Sequence, residues 1–246
     1  MFGASTLGFR FQSDRGARKK DVLVFFDPLT DAPGGNTNYY VTSGDVNPAT
    51  ELWPKIRDRE IALGFTPTLV SSYSALAALN LDDYAHAWDI GYASPYLTNP
   101  NDPTLLLTSY LQNNGALLLL GENAYFGVRD NAIDDFVTGL GGGSISRSSN
   151  NYYWAVDSTV APAFLQANLN DLVTFSRPGT FDTYGTGTPI TTPFVDNEYV
   201  AVMWETSSLA SATRGAVISI LDINFVTDTY YDPDFIDNMC VCLNRK

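Results

Sequence analysis

Residues 21–27 read Asp-Val-Leu-Val-Phe-Phe-Asp, and this stretch decides the fold class. The residues between the two aspartates are all apolar, too few for a helix and without the alternation of a half-exposed strand. A short continuous run of this kind is typical of a central parallel strand that is buried on both faces. The sequence therefore predicts a sheet with both faces covered.

The same kind of strand returns along the chain, in alternation with helical segments. Strands are predicted at 66–71, 85–90, 116–120, 199–204 and 215–221, and helices at 49–63, 75–80, 103–113, 131–140 and 233–243. This alternation implies right-handed crossovers and parallel pairing. The predicted fold class is α/β, with a doubly wound, mostly parallel sheet of flavodoxin-like order, flanked by helices. An irregular antiparallel insertion, with a helix near 161–167, is expected at roughly 144–198.

The chain has 246 residues and a net charge of −13, and this charge is unevenly distributed. Residues 1–20 carry +4, which leaves −17 for residues 21–246, predicted to form a single domain. The acidic body disfavours partnership with nucleic acid or anionic membranes. Residues 1–20 are interpreted as a basic arm that joins subunits in an assembly. Its apolar and charged candidate residues are Phe9, Arg10, Phe11, Arg15, Arg18, Lys19 and Lys20. Such an arm can add to an exposed sheet edge or lie in an apolar groove.

The sequence gives no indication of export or of a membrane span. Its first residues are polar and basic, and no stretch approaches the ~20 apolar residues that a membrane helix needs. Cytoplasmic synthesis is expected, with an assembled particle as one final location. The only cysteines, Cys240 and Cys242, are two positions apart and have no histidine nearby in the sequence. They are expected in the last helix, one facing the core, and to form neither a disulfide framework nor a zinc site.

Residues 115–130 run Gly-Ala-Leu-Leu-Leu-Leu-Gly-Glu-Asn-Ala-Tyr-Phe-Gly-Val-Arg-Asp. This segment resembles the strand, elbow and helix of class I glutamine amidotransferase-like domains. The stretch at 221–225 and the helix after it are similar to the way many such domains end. The resemblance covers roughly residues 21–140 and 199–243, as a pattern and not as a signature match.

What this resemblance implies about activity is negative. Catalytic members of the family carry Cys or Ser at the elbow, followed later by a histidine and an acidic residue. Glu122 stands at the elbow position here, and the only histidine, His86, precedes it on a predicted strand. The nucleophile and base are therefore both missing, which implies a catalytically degenerate domain. His86 itself is interpreted as a structural residue of the core or of a sheet edge.

Acidic residues stand at the predicted carboxyl ends of four strands, where open α/β sheets bind their ligands. The candidate residues are Asp27, Asp89, Glu122 with Asn123, and Asp222 with Asn224. Gathered on one rim, these oxygens could hold a hard cation such as Ca²⁺ or Mg²⁺. Alternatively, each acid accepts backbone N–H bonds from a following loop or helix, or two of them form a carboxyl pair for acid–base chemistry. No cofactor is otherwise expected, and the metal stays open.

Many tyrosines lie in predicted loops, which favours contact with proteins or carbohydrates. They are Tyr39, Tyr40, Tyr92, Tyr96, Tyr125, Tyr152, Tyr153, Tyr184, Tyr230 and Tyr231. Three hypotheses follow. The first is a non-catalytic structural subunit of a larger particle, such as a virion, filament or shell, which associates with other subunits or with itself. The second is a cation- or carbohydrate-binding module, and the third is a carboxylate-dependent hydrolase.

Overall fold

Helices and strands alternate along the chain and build a seven-stranded sheet in the computed structural model, which describes residues 19–28, 45–93, 103–149, 152–210, 212–227 and 229–244. The strands are β1 (Asp21–Phe25), β2 (Thr66–Val70), β3 (His86–Asp89), β4 (Ala116–Leu120), β5 (Ile145–Arg147), β6 (Ala155–Thr159), β7 (Leu172–Ser176), β8 (Phe181–Tyr184), β9 (Thr188–Pro189), β10 (Ala201–Trp204) and β11 (Ala216–Ile220). The α-helices are α1 (Trp53–Ala62), α2 (Tyr73–Ala77), α3 (Thr104–Gln112), α4 (Gly127–Gly139) and α5 (Pro233–Leu243).

The strands of the main sheet follow the order β2-β1-β3-β4-β11-β10-β9. The first five are parallel neighbours, and β10 and β9 add to them in antiparallel fashion. The chain moves outward from β1 to β2 and then returns to the other side of β1, so the order reverses between β1 and β3. This is the switch point of a flavodoxin-like sheet. The fold class predicted from the sequence is confirmed.

The predicted strand positions agree with the structure to within one or two residues. The short helix expected at 75–80 lies at Tyr73–Ala77, and two other predicted helices differ more. Helix α4 begins at Gly127 and not at 131, because the side chain of Asn123 caps a 3₁₀ turn that runs directly into it. The helix expected near 161–167 is only the 3₁₀ turn Pro162–Phe164. The backbone N–H groups of residues 166–168 donate instead to Oδ1 of Asn238, which ends the helical pattern.

Each edge strand of the main sheet contains a proline. In β2, Thr66 and Val70 bond to the β1 side, so the backbone groups of Pro67 point away from the sheet. The opposite edge strand, β9, contains Pro189. Proline has no N–H to offer to an added strand and is one way in which proteins protect sheet edges. The two edges are therefore poor acceptors for an additional strand.

The antiparallel insertion is present as two small sheets, β5 with β8 and β6 with β7. It reaches the main sheet at Gly179, whose N–H donates to the carbonyl oxygen of Leu221 at 2.8 Å. A Cβ atom at position 179 would lie 2.4 Å from the carbonyl oxygen of Glu122. A glycine is therefore needed for the insertion to contact the carboxyl ends of β4 and β11.

Most of the predicted arm lies outside the described residues, including Phe9, Arg10, Phe11, Arg15 and Arg18. Lys19 and Lys20 are described and exposed, and the Lys20 carbonyl accepts a hydrogen bond from the N–H of Thr66 at 2.8 Å. Among the helices of the described residues, none is long and apolar enough to span a membrane.

Candidate binding site

A cavity of about 510 Å³ opens at the carboxyl ends of β4 and β11, beside the inserted strands. It contains three of the six candidate residues from the sequence, Glu122, Asn123 and Asn224. The other lining residues are Asp45, Val46, Tyr92, Phe126, Tyr153, Ala155, Ser176, Arg177, Ile223 and Tyr230. A cavity at this end of the sheet is where α/β folds place their ligands.

Glu122 projects from the elbow after β4 and is 4% exposed. Its Oε1 accepts hydrogen bonds from the backbone and side-chain N–H groups of Asn123 at 3.0 and 3.2 Å. Its Oε2 receives only a long contact of 3.5 Å from the N–H of Ile223. Burial, and next the charge of Asp222, raise the pKa of Glu122 well above its usual range. The raised pKa favours the protonated carboxyl group, which can donate a hydrogen bond.

Asp222 lies behind Glu122 and is fully buried. Its Oδ1 accepts from the backbone and side-chain N–H groups of Asn224 at 2.6 and 2.8 Å, and its Oδ2 accepts from the N–H of Ser176. Burial raises the pKa of Asp222 to about 7, although these hydrogen bonds act to lower it. Asp222 thus connects the last residue of β7 to the end of β11, and its charge acts on the nearby carboxyl group of Glu122.

The elbow itself depends on a close approach of α4. Oδ1 of Asp130 accepts a hydrogen bond from the N–H of Glu122 at 3.2 Å. A Cβ atom at Gly121 would lie 2.5 Å from the same oxygen, so this position needs glycine. Burial raises the pKa of Asp130 to about 6, against the nearby charge of Arg147, which lowers it.

The remaining two candidates do not line the cavity. Asp27 accepts a hydrogen bond at 3.0 Å from the N–H of Tyr73, at the first residue of α2. Asp89 forms a fully buried ion pair with Arg129 of α4 and accepts from the N–H of Gly91 at 3.2 Å. Both carboxylates thus serve the packing of helices and loops at this edge of the sheet.

Aromatic side chains form the walls and mouth of the cavity. Tyr92 is buried, donates to the carbonyl oxygen of Val46 at 2.8 Å, and packs edge-to-face on Phe126. Tyr153 is 58% exposed, and its hydroxyl lies 3.1 Å from that of Tyr125. The tyrosine-rich loops identified in the sequence therefore supply part of this site.

The sequence did not indicate Asp45, Ser176 or Arg177 as site residues. Ser176 and Arg177 belong to the insertion, and they reach the cavity only through the contacts of Gly179 and Asp222 with distant segments. A local motif cannot carry such information. An aspartate near the start of a helix, as Asp45 is, resembles an ordinary capping residue.

The acids at the strand ends do not gather into a cluster of ligands for a metal. Within the described ranges, the one group of three His, Cys, Asp or Glu ligand atoms that lie within 4.8 Å of one another is Glu60, His86 and Cys240. These residues are remote from the cavity, because His86 begins β3 and Asp89 ends it, about 10 Å further along the strand. No histidine is near the cysteines in the sequence, but the fold brings His86 and Cys240 to the same oxygen of Glu60. Both cysteines, and not one, face the core.

No family model and no curated protein match the sequence. Solved structures do resemble it in fold. The mmIFT52 N-terminal domain superposes with a TM-score of 0.61 at 10% identity, over 92% of this chain and 98% of that one. A cytoplasmic protein from Salmonella typhimurium gives a TM-score of 0.58 at 12% identity, over 92% of this chain and 100% of that one.

A ThuA-like protein from Bacteroides uniformis also superposes, with a TM-score of 0.51 at 13% identity, over 94% of this chain and 93% of that one. At these identities the likeness concerns the fold alone. The chain shares with these structures an α/β fold, built here on a mostly parallel sheet flanked by helices.

Proposed function

We propose that the protein is a non-catalytic binding domain whose cavity takes an uncharged, polyhydroxylated ligand of the carbohydrate class. The observation that carries this proposal is the composition of the cavity at the strand ends. Aromatic faces lie on its walls and mouth, and hydrogen-bonding groups converge at its floor. A mostly pre-formed cavity with few, well-placed polar groups is the usual form of a small-molecule site.

The polar groups fit hydroxyls better than they fit ions. The amide nitrogen of Asn224 already donates to Ser176 and Asp222, which leaves its oxygen to accept from a ligand. Asn123 uses one N–H on Glu122 and keeps the other, and the Glu122 carboxyl group can donate when it is protonated. The carboxylate oxygens of Asp222 already accept three N–H groups, which leaves little capacity for a hard cation. The exposed ring of Tyr153 offers a flat apolar face beside these groups.

The absence of catalysis is supported by the chemistry at the elbow. Glu122 occupies the position where catalytic relatives of the fold carry Cys or Ser. The only histidine of the sequence, His86, is fully buried at the far end of β3 and bonds to Glu60. Among the residues that the structure describes, no Cys–His or Ser–His pair therefore lies beside the cavity.

The experiment is ligand-observed NMR with a panel of neutral mono- and disaccharides, followed by calorimetry on the strongest ligand. Tyr153→Ala is expected to weaken binding about tenfold, the loss of ~1.4 kcal/mol. Leu169→Ala is the matched control, because Leu169 is 88% exposed and does not line the cavity.

Binding that is equal in both variants, or absent from the whole panel, contradicts the proposed ligand class. Turnover of any panel member that disappears in Glu122→Gln contradicts the non-catalytic role and favours the carboxylate-dependent hydrolase instead.

A second candidate function is that of a structural subunit in an assembly, favoured by an exposed apolar surface at the cavity mouth. Tyr125, Val128, Tyr153 and Trp154 are each more than half exposed. Aromatic residues on a surface are enriched in protein interfaces. Because a proline protects each edge of the main sheet, the basic arm is expected to use such an apolar surface in a neighbouring copy and not a sheet edge.

Light scattering on the full chain and on a chain without residues 1–18 tests this candidate, since that truncation keeps the Lys20 carbonyl which pairs with Thr66. The full chain is expected to self-associate, less so at high salt, and the truncated chain to do so weakly. A monomeric full chain contradicts the structural role.

A further inference from the structure

A second cluster of reactive side chains lies within the core, at the amino end of β3. Glu60 of α1, His86 of β3 and Cys240 of α5 are each 0% exposed. Oε1 of Glu60 lies 2.6 Å from Nε2 of His86 and 3.1 Å from Sγ of Cys240. Three elements that are distant in the sequence thus meet at the carboxyl group of Glu60, which does not line the cavity.

The hydrogen bonds define the protonation of this cluster. Nδ2 of Asn244 donates to the carbonyl oxygen of Cys240 at 2.7 Å, so the same nitrogen donates to Nδ1 of His86 at 2.8 Å. Nδ1 is then an acceptor, and Nε2 carries the proton that faces Glu60. The thiol of Cys240 donates to the same carboxylate oxygen.

Glu60 accepts from all of these donors through a single oxygen, Oε1. Its one ion-pair partner among the described residues is the imidazole of His86. Its Oε2 is buried without a hydrogen-bond partner. An unpaired buried carboxylate oxygen is costly and calls for an explanation such as an ion.

We propose that Glu60, His86 and Cys240 form a structural zinc site, in which the carboxylate, Nε2 and Sγ are the protein ligands. Zn²⁺ binds carboxylate, imidazole and thiolate, and the two anionic ligands together balance its charge. Zinc takes four ligands in most structural sites, so a water or another small ligand completes the set.

The residues around the cluster fit this role. Nε1 of Trp88 donates to Oε1 of Glu60 at 2.8 Å and orients the carboxylate so that Oε2 is available. When Nε2 binds the metal, the imidazole proton lies on Nδ1. The side-chain amide of Asn244 then has to rotate so that its oxygen accepts this proton. The rotation breaks the bond from Asn244 Nδ2 to the Cys240 carbonyl oxygen. Such outer hydrogen bonds are usual for a metal-bound histidine. The Cys240 thiol loses its proton to solvent, so one proton is released for each ion bound.

The experiment is refolding of the full chain from denaturant with Co²⁺ or Zn²⁺, or with a chelator. We expect one Co²⁺ per chain, a thiolate-to-cobalt absorption band in the near ultraviolet, and a higher melting temperature with Zn²⁺ than with chelator. Cys240→Ser is expected to lose the band. Cys242→Ser is the matched control and is expected to keep it, because Cys242 is also buried but contacts the Phe164 carbonyl and not Glu60.

If Cys240→Ser does not fold, the wild-type chain and Cys242→Ser still decide the question. A wild-type chain that refolds equally well with chelator, and that shows neither the cobalt band nor bound zinc, overturns the proposal. The cluster is then a hydrogen-bond network without a metal. A band that is lost in Cys242→Ser while Cys240→Ser keeps it overturns the ligand assignment.

Discussion

Glu60 and Glu122 are both buried, at opposite ends of the sheet, and their surroundings give them opposite properties. Burial acts to raise the pKa of Glu60, but His86, Cys240 and Trp88 together hold it below the ordinary value. Glu122 instead faces Asp222, so burial and a like charge act together and raise its pKa. Neighbours, and not burial alone, decide whether a buried carboxyl group carries a charge.

The largest expected effect on stability is the difference between replacing Glu60 and replacing Glu122. Glu60→Gln replaces the carboxylate that accepts from three side-chain donors, so we expect the free energy of unfolding to fall by about 3 kcal/mol, since hydrogen bonds to charged groups contribute more than those to neutral ones. Glu122→Gln keeps the shape of the side chain and removes a buried group whose pKa is raised, so we expect no loss of stability at pH 7. Urea denaturation of both variants measures the difference, and equal losses contradict the comparison.

The pH dependence of stability should show the carboxyl pair at the cavity. The folded-state pKa of Asp222 is raised to about 7, so its contribution to stability is complete below the unfolded-state value and is lost as the pH rises through about 7. Between pH ~4 and ~7 we expect this pair to lower the free energy of unfolding by about 2–3 kcal/mol.

The Glu122→Gln variant is the control, because it removes one of the two titrating groups. We expect its stability to depend less steeply on pH than that of the wild type over the same range. Identical slopes are incompatible with a raised pKa at Glu122.

The smallest expected effect on stability is the difference between replacing two buried tryptophans, Trp88 and Trp204. Nε1 of Trp88 donates to the Glu60 carboxylate, whereas Nε1 of Trp204 donates to the carbonyl oxygen of Tyr184 at 3.1 Å. Trp88→Phe is expected to cost about 1 kcal/mol more than Trp204→Phe, because hydrogen bonds to charged groups contribute more than those to neutral ones. Thermal or urea unfolding of the two variants tests this, and a larger loss in Trp204→Phe is the opposite of the expected result.

The sequence was sufficient for the fold because the decisive strands are continuous apolar runs. The apolar residues at 21–27 and 116–120 can be buried only in a sheet that is covered on both faces. The regular alternation of strands and helices then limits the order in which the strands can pair. The position of Glu122 at the elbow follows from the same local pattern. Asp232, directly before Pro233, caps the last helix, and its side chain accepts from the N–H of Phe235.

What the sequence could not predict are contacts between distant segments. Ser176 reaches the cavity through Asp222, 46 residues away, and Cys240 meets Glu60 across 180 residues. The four acids at the strand ends look equivalent in the sequence, yet Asp89 is neutralised by Arg129 and Glu122 is not. Such differences depend on which side chain of another element packs opposite each acid.

The most direct test of the account is a pH titration of the glutamate side-chain carboxyl carbons by NMR, with Glu60→Gln and Glu122→Gln used for assignment. We predict that Glu122 titrates at a higher pH than an ordinary glutamate, because burial and the charge of Asp222 raise its pKa, while Glu60 titrates at a lower pH than an ordinary glutamate. A Glu122 that titrates in the ordinary range, or a Glu60 that titrates at the higher pH of the two, would contradict the account.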